Sequence, residues 1–367
     1  MAAERLARAG VNTLLIDEKM AWEKPCGGGV TFKAYRQYPF LREGRSHSVS
    51  TTWLHSDESP PARLALEKPL LIFSRRELNQ LLLDRAAAAG AELLTTRVTG
   101  VEREGKGWSL TTRSGPLQAD HLIIATGARS PLREFGTPWT AGDTMVALGY
   151  YIPSEQPHID IQFFADLEGY IWLFPRCGHL SAGICGKGVS AAGLRQRLET
   201  YLAERGISFN DAQFYAHMLP ALATSSWPNN RLDGPGWLAV GDSAGLVDPV
   251  TGEGIYYAMR SGELAGQFLA EERPEAYAGQ VEAEFGADLA YASTLARRVY
   301  LGRFCGGANT TRMLQFLRRS TQIQSVMQEL FAGTMSYREL RARIRSNFKS
   351  IMAEIALNTC LRRIVTI

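Results

Sequence analysis

The sequence lacks the residue patterns of a disulfide scaffold or of a metal site. It has five cysteines in 367 residues, none of them in a Cys-x-x-Cys pair, and its six histidines show neither His-x-His nor His-x-x-x-His spacing. Structural zinc sites and disulfide frameworks both depend on such spacings or on a dense, paired set of cysteines. We therefore expect no metal, and thiols that are mostly buried and reduced.

Long hydrophobic runs are also absent. No stretch approaches the ~18 consecutive apolar residues of a membrane-spanning helix, and the longest runs, such as Leu122 to Ala125, have the length of a strand. The opening residues MAAERLARAG carry charges and lead into no apolar core of a secretory signal. These absences predict a cytoplasmic protein that spans no membrane.

Charge is unevenly distributed along a chain of otherwise ordinary globular composition, with 45% hydrophobic and 21% charged residues. Residues 291–367 hold thirteen Lys and Arg against three Asp and Glu, a net charge of +10 in a chain whose total is +3. Apolar residues at mixed three and four spacing, as in MLQFLRRSTQIQSVMQELF, predict helices there. The basic helices are interpreted either as a solvated surface or as a contact with an anionic membrane surface or substrate. No pattern indicates a nucleic-acid partner.

The first residues predict a helix, a turn at Gly10 and a strand that ends at Asp17. In a dinucleotide-binding unit, an acid at this point binds the adenosine ribose; an ordinary helix and strand of another α/β fold is the alternative. The Gly-x-Gly-x-x-Gly loop and strand that precede such a helix are not in this sequence. We therefore expect FAD to bind weakly to these 367 residues and well to a chain extended by that strand and loop.

Further along, a helix from Ser74 precedes alternating strands, short aromatic strands follow, and the apolar strand GWLAVGD comes after them. The predicted fold class is mixed α/β. It comprises a Rossmann-like FAD-binding domain shortened at its N-terminus, an antiparallel-sheet substrate domain and a helical C-terminal region. The predicted boundaries are 1–140 for the first part of the FAD domain, 141–233 for the substrate domain, 234–290 for the second part of the FAD domain and 291–367 for the basic helices.

One segment, GWLAVGDSAGLVDPVTGEGIYYAMRSGELAG, carries the strongest site pattern. A buried strand ends in a glycine-rich loop, and an amphipathic helix follows. Glycines let the backbone approach a ligand, and the helix N-terminus presents free N–H groups to an anion. The cofactor-binding candidates of this segment are Gly241, Asp242, Pro249, Gly252, Gly254 and Ile255.

Two further segments suggest a substrate pocket. The strand GYIWLFP places Tyr170, Trp172 and Phe174 on one face, which would form either an apolar wall for a flat ring or polyprenyl chain, or plain core. Cys26 lies in a loop of three glycines, where a thiol could donate a proton to a substrate or simply be buried beside a tight turn.

Four segments together resemble the geranylgeranyl reductase family, within the group of FAD enzymes similar to para-hydroxybenzoate hydroxylase. They are GDSAGLVDPVTGEGIYYAMRSG, KPCGGGV, FSRRELNQLL and GYIWLFPRCGHLSAGICG. The resemblance implies that Cys26 is catalytic and that Tyr170, Trp172, Phe174 and Pro175 bind substrate. It also implies FAD contacts, in addition to those of the strongest segment, at Asp17, Gly27, Gly28, Arg75 and Gly127.

The sequence departs from the family pattern in two other places. In LIIATGARSPLR, Thr126 replaces an expected acid, and only Gly127, Ser130 and Arg133 fit the motif. Cys185 occupies a position that is usually glycine, so a side chain enters where none is expected. We expect the substrate's shape to differ accordingly.

The resemblance implies an FAD-dependent reductase that saturates carbon–carbon double bonds of an isoprenoid chain on a lipid, quinone or pigment precursor, with NADPH or a ferredoxin-type protein as electron donor. Three alternatives remain: an aromatic hydroxylase or halogenase of the same group, a flavoprotein that passes electrons to a membrane quinone, and a non-catalytic remnant. Tyr170 and Phe174 stand where a halogenase signature requires tryptophan and isoleucine, which argues against the halogenase.

Overall fold

The computed structural model describes residues 1–128, 132, 135, 136 and 138–365, the last five by their backbone alone. Its α-helices are α1 (Ala2–Arg8), α2 (Phe32–Gln37), α3 (Arg75–Ala88), α4 (Ala191–Glu204), α5 (Ile255–Ala270), α6 (Tyr277–Val281), α7 (Ala287–Leu301), α8 (Asn309–Leu317), α9 (Thr321–Ala332), α10 (Tyr337–Ser346) and α11 (Phe348–Val365). Its strands are β1 (Leu14–Asp17), β2 (Gly29–Val30), β3 (Ser46–Ser56), β4 (Ser59–Phe73), β5 (Glu92–Thr95), β6 (Val98–Glu104), β7 (Gly107–Thr112), β8 (Gly115–Ala119), β9 (Leu122–Ile124), β10 (Thr144–Ile152), β11 (Ile159–Phe163), β12 (Gly169–Arg176), β13 (His179–Gly186), β14 (Gln213–Pro220), β15 (Asp233–Gly234), β16 (Trp237–Ala239), β17 (Arg303–Phe304) and β18 (Gly307–Ala308).

The chain forms two compact units. Unit 1 comprises Met1–Lys24, Arg75–Thr144 and Met218–Ser293, and unit 2 comprises Pro25–Ser74, Met145–His217 and Thr294–Ile367. Residues 25–74 thus pack in unit 2, whereas the sequence-based boundaries grouped them with the FAD domain. The functional roles given to those domains stay predictions. The mixed α/β fold class is confirmed.

Unit 1 contains short parallel strand pairs and helices. β1 pairs with β5, and β9 pairs with β16, both in parallel. Parallel neighbours end at the same edge of a sheet, so the segments that follow β9 and β16 come together there. Helix α1 packs so closely on α5 that a Cβ on Gly266 would lie 2.8 Å from the carbonyl oxygen of Ala2.

Unit 2 contains a sheet in the order β14-β10-β13-β12-β11-β3-β4-β2, the end of β14 continuing into unit 1. Most neighbours are antiparallel, as predicted, but β11 and β3 run in parallel. Alternate residues of β10, β12 and β13, among them Ile171 and Leu173, form a buried core with Leu194 and Leu198 of α4. Period-two alternation therefore places Tyr170, Trp172, Phe174 and Arg176 on the opposite face.

The predicted helical tail is a series of short helices. The run from Met313 divides into α8 and α9 because the Ser320 side chain accepts a hydrogen bond from the N–H of Ile323 and so begins a new helix. Leu314, Leu317 and Met327 of these helices pack on β3, β4 and β11. No helix in the described part of the chain is both long and apolar enough to cross a membrane.

Candidate functional site

In unit 1, two residues predicted from the sequence, Gly127 and Asp242, meet Lys24 at the shared edge of β9 and β16. Gly127 follows β9 and Asp242 follows β16, and the Lys24 ammonium lies 3.4 Å from an Asp242 carboxylate oxygen. Gly127 has φ +76°, and the nearest described atom to a Cβ built there is the Lys24 ammonium, 4.0 Å away. The described residues therefore do not crowd the backbone at Gly127.

The loop after β16 is packed tightly on helix α5. Gly241 has φ +56°, its N–H donates to Ser261 Oγ at 3.0 Å, and a Cβ there would lie 2.9 Å from the Cβ of Ala258. A Cβ on Gly254 would lie 3.3 Å from Asp242 Oδ1, so the Asp242 carboxylate stands beside the start of α5. Helix α5 begins at Ile255, and its N-cap residue, Gly254, has no side chain to cap the first turn. Its first N–H groups are suitable donors for an anion.

The Asp248 side chain is buried and stabilises its own loop. It is 5% exposed, and its Oδ1 accepts hydrogen bonds from the N–H groups of Val250 and Thr251 at 2.8 and 3.2 Å. Pro249 is buried inside this turn, and Gly252 continues it with φ +72°. These residues shape the loop that leads to Gly254.

Asp17 and Arg75 lie at element ends, as predicted. Asp17 ends β1, and its Oδ1 accepts from the N–H groups of Lys19 and Met20, each at 2.7 Å. Arg75 begins α3, its N–H donates to Glu23, and its Nη2 donates to Asn79. The Arg75 Nε is buried without a hydrogen-bond partner in the described part of the chain.

These features fit an anionic dinucleotide. A buried donor without a partner among the described residues, a helix N-terminus that follows a glycine, a glycine with positive φ and a carboxylate that can accept from sugar hydroxyls are groups that can bind FAD. The roles of the individual residues stay predictions. Ser130 and Arg133 lie outside the described residues.

In unit 2, the Cys26 loop is held in an unusual backbone shape. Gly28 has φ +86°, and a Cβ there would lie 2.1 Å from the carbonyl oxygen of Phe73. The Gly28 N–H approaches Cys26 Sγ at 3.3 Å, and the Gly28 carbonyl accepts from the N–H of Phe73 at 2.9 Å. The glycine is required at this position, and it presents an N–H to the thiol.

The aromatic strand runs beside this loop. Phe174 lies against the loop backbone, since a Cβ on Gly27 would come within 2.9 Å of its ring. Trp172 is buried and lies over Gly183, its cross-strand partner, where a Cβ would be 2.2 Å from the indole. Tyr170 stacks on Tyr300 of α7 with centroids 6.4 Å apart.

The predicted substrate residues therefore divide into two groups. Tyr170 and Phe174 are partly exposed, whereas Trp172 and Pro175 are buried. We infer that the first two offer surface to a ligand and that Trp172 supports them.

Cys185 is the cross-strand partner of Tyr170 and is 1% exposed. Burial raises the pKa of its thiol to about 12. Of the five cysteines, Cys185 alone is buried, and Cys305 and Cys360 are exposed. The expectation that most of the thiols are buried was wrong, because three of them lie in loops or in a surface hairpin and one lies on an exposed helix position.

Several residues of these sites were missed by sequence reasoning: Lys24, Arg176, Ser181, Tyr215 and Tyr300. Lys24 and Arg176 both lie inside quoted motifs, and Arg176 continues the Tyr170, Trp172, Phe174 alternation. The period-two alternation of this strand was the signal that could have identified Arg176. No group of three or more His, Cys, Asp or Glu that could hold a metal occurs among the described residues.

Comparison with known proteins agrees with this geometry. A family model described as FAD dependent oxidoreductase matches residues 26–262. Digeranylgeranylglycerophospholipid reductase 2 of Methanothermobacter thermautotrophicus is 31% identical over 297 residues, which are 74% of this chain and 74% of that protein.

Solved structures share the fold. A geranylgeranyl bacteriochlorophyll reductase-like protein of Thermoplasma acidophilum has a TM-score of 0.77 at 21% identity, over 94% of this chain and 95% of that one. The flavin-dependent brominase Bmp2 has a TM-score of 0.69 at 13% identity, over 95% and 96%. At these identities the two structures establish the fold alone. On the family model and the sequence relative, the chain belongs to the geranylgeranyl reductase family of FAD-dependent oxidoreductases.

Proposed function

We propose that this enzyme saturates carbon–carbon double bonds of an isoprenoid chain carried by a lipid, quinone or pigment precursor. The observation that carries the proposal is the aromatic face of Tyr170 and Phe174, on which the Phe174 ring lies directly beside the Cys26 loop. An apolar wall next to a single proton-donating thiol suits an alkene, which offers no hydrogen-bonding group for orientation. The relative from Methanothermobacter, a reductase named for a digeranylgeranyl lipid, supports the same substrate class.

In this proposal the residues of unit 1 hold FAD. Asp242 accepts hydrogen bonds from sugar-alcohol hydroxyls, the N-terminus of α5 after Gly254 faces an anionic group, and the Arg75 guanidinium donates to the dinucleotide. Asp17 binds ribose through the oxygen that its own turn does not use. When bound and reduced, the cofactor supplies a hydride to carbon.

The residues of unit 2 bind and protonate the alkene. Tyr170 and Phe174 exclude water from the isoprenoid chain, and Gly27, which has no side chain, lets the Phe174 ring lie directly against the Cys26 loop. Cys26 donates its proton to the carbon that does not receive hydride. Cys185, the buried cross-strand partner of Tyr170, fills the space beside that residue and so affects the shape of the chain that fits through the position of the Tyr170 ring.

The rival functions require different groups. An aromatic hydroxylase needs polar partners that orient a hydroxyl or carboxylate deep in the pocket. On the aromatic face described here, the Ser181 hydroxyl instead donates to the Cys26 carbonyl at 3.0 Å. Flavin-dependent brominase Bmp2 shares the fold at 13% identity, which leaves the chemistry open, and the Tyr170 and Phe174 departures favour the reductase.

The experiment is an anaerobic reoxidation assay. Protein with excess FAD is reduced chemically, and then a geranylgeranyl compound or its fully saturated analogue is added. If the oxidised flavin spectrum recovers with the alkene and not with its saturated analogue, the result supports the reductase. Recovery with a quinone that has a saturated side chain, and not with the alkene, would support the electron carrier instead. Replacing the chemical reductant by NADPH or by reduced ferredoxin identifies the donor.

Asp242 and Asp248 should behave differently when each is changed to alanine. The Asp242→Ala variant loses a charge-assisted hydrogen bond to FAD and should therefore bind FAD about tenfold or more weakly. Its thermal midpoint should change little, because its ion pair with Lys24 is partly exposed. Asp248→Ala removes the acceptor of the buried Val250 N–H and of the partly buried Thr251 N–H and should lower the midpoint. Fluorescence titration with FAD and thermal unfolding measure the two effects. Equal FAD affinity in the two folded variants would assign Asp242 a turn-forming role only.

We also propose that the enzyme contacts an anionic membrane surface through α10 and the start of α11. Arg338, Arg341 and Arg345 are exposed on one face of α10, and Lys349 and the 49%-exposed Phe348 follow. The single acid of this stretch, Glu339, is engaged in a capping box with Ser336. Cations beside an exposed aromatic ring are typical of helices that bind at a lipid interface.

Changing those three arginines together to glutamine should weaken binding to vesicles that contain phosphatidylglycerol. At about 1 kcal/mol per cation near an anionic surface, the loss should be roughly a hundredfold at low salt. Sedimentation with vesicles measures it, and the matched control changes Arg63, Lys106 and Arg113, which are exposed elsewhere. Equal losses in both triple variants would mean that net charge alone is responsible.

A further inference from the structure

Arg176 is a charged residue in the buried part of unit 2. It ends the aromatic strand and is only 1% exposed. A buried guanidinium is costly unless its N–H groups are engaged. Its Nη2 donates to the carbonyl oxygen of Cys26, its Nε donates to that of Gly27 at 3.3 Å, and its Cζ lies 5.3 Å from the ring centroid of Tyr151. The cation is therefore directed at the loop that carries the Cys26 thiol.

A second side chain acts on the same carbonyl. Ser181, fully buried on β13, donates its hydroxyl proton to the Cys26 oxygen at 3.0 Å, and Tyr215 lies 3.1 Å from the Ser181 hydroxyl. The thiol itself faces the Gly28 N–H at 3.3 Å. Backbone and side-chain donors thus surround Cys26 on more than one side.

This arrangement favours the ionised form of the thiol. A guanidinium keeps its charge at every pH at which the protein is folded. A neighbouring cation and an N–H donor both stabilise a thiolate, and the effect is larger where water is excluded. Ser181 fixes the loop equally well but brings no charge.

We propose that Arg176 is a positioning residue that holds the Cys26 loop and stabilises the thiolate that proton donation leaves behind. The inference rests on the proposed function, in which Cys26 protonates the alkene. The S–H bond breaks, and its proton forms a C–H bond at the carbon that does not receive the hydride of the reduced flavin. The S–H electron pair stays on sulfur, where it faces the Gly28 N–H and the field of Arg176. A solvent proton then restores the thiol.

The test measures how the rate of Cys26 alkylation by iodoacetamide depends on pH, in the full chain without flavin or alkene. Peptide mass spectrometry follows each thiol separately. Cys360, exposed on helix α11, is the internal reference, because the Cys305 carbonyl itself accepts from the Arg312 guanidinium. Cys185 should stay unmodified because its pKa is raised to about 12. The midpoint for Cys26 should lie below that for Cys360 by about one pH unit.

Variants separate the charge from the loop geometry. Arg176→Gln should raise the Cys26 midpoint by about one unit, which means about tenfold slower alkylation near neutral pH. Arg176→Lys should keep most of the lowered midpoint, and Ser181→Ala should shift it less than Arg176→Gln does. Circular dichroism confirms that each variant is folded.

The proposal is overturned if Arg176→Gln is folded and leaves the midpoint unchanged. It is also overturned if the midpoint of wild-type Cys26 lies at or above that of Cys360, a comparison that needs no variant to fold. Because no substrate is present, a failed reductase assay with these midpoints as expected would refute the proposed function and leave the Arg176 assignment standing. A working reductase in which Arg176→Gln leaves the Cys26 midpoint unchanged would refute the Arg176 assignment and leave the proposed function standing.

Discussion

Cys26→Ala should slow the reduction of an isoprenoid alkene by about a hundred- to ten-thousandfold, the usual contribution of a positioned general acid. The thiol is partly exposed, faces the Gly28 N–H at 3.3 Å and lies in the loop against which Phe174 packs. Cys26→Ser should be almost as slow, because a hydroxyl is a far weaker acid than a thiol. Single-turnover reoxidation of the reduced flavin by the alkene measures the rate.

Cys177→Ala is the matched control. Cys177 is also partly exposed and lies in the turn between β12 and β13, in the same unit. Its replacement should leave the rate near that of the wild type. If Cys26→Ala reduces the alkene as fast as Cys177→Ala does, then the proton comes from another group and the thiol is merely part of a tight turn.

Gly28→Ala should destabilise the protein strongly. Two costs add at this position, a left-handed backbone with φ +86° and a Cβ placed 2.1 Å from the carbonyl oxygen of Phe73. The first costs about 1 to 2 kcal/mol for any L-residue. The second requires the backbone of the loop or of β4 to move, which adds at least about 2 kcal/mol. Urea unfolding of the purified variant measures the sum.

Gly178→Ala isolates the first cost. Gly178 has the same φ of +86°, and a Cβ there would meet no atom of the described residues within 4 Å. We expect this variant to lose only the conformational cost. Equal free energies of unfolding for the two variants would show that the Cys26 loop yields easily, and the loop could not then hold a thiol in a fixed place.

The sequence predicted much of the fold because the relevant signals were local. The glycine-rich loop before Ile255 and the aromatic alternation of β12 each depend on neighbouring residues, and both were found where they were expected. The hairpin of β3 and β4 was missed. Its strands alternate polar and apolar residues without turn glycines, and the parallel pairing of β3 with β11 is a long-range contact that no local pattern indicates.

The site residues that were missed depend on contacts distant in sequence. Arg176 reaches the Cys26 carbonyl from 150 positions away, and Lys24 approaches Asp242 across 218. Neither side chain differs from a surface cation when only its neighbours in sequence are considered. Asp248 shows the opposite difficulty, since its place in a cofactor motif gave no indication that both of its contacts with Val250 and Thr251 are internal to a buried turn.

The most direct test of the central claim is one incubation with three compounds. Protein with excess FAD, chemically reduced, is mixed with geranylgeranyl diphosphate, a menaquinone and a simple phenol, once without oxygen and once with dioxygen supplied as the oxidant that a hydroxylase needs, and the products are analysed by mass spectrometry. We predict that one or both of the isoprenoid compounds gain hydrogens in pairs, in the side chain, and that the phenol is unchanged. A phenol that gains one oxygen, with both isoprenoid chains unaltered, would contradict the reductase function and establish the hydroxylase in its place.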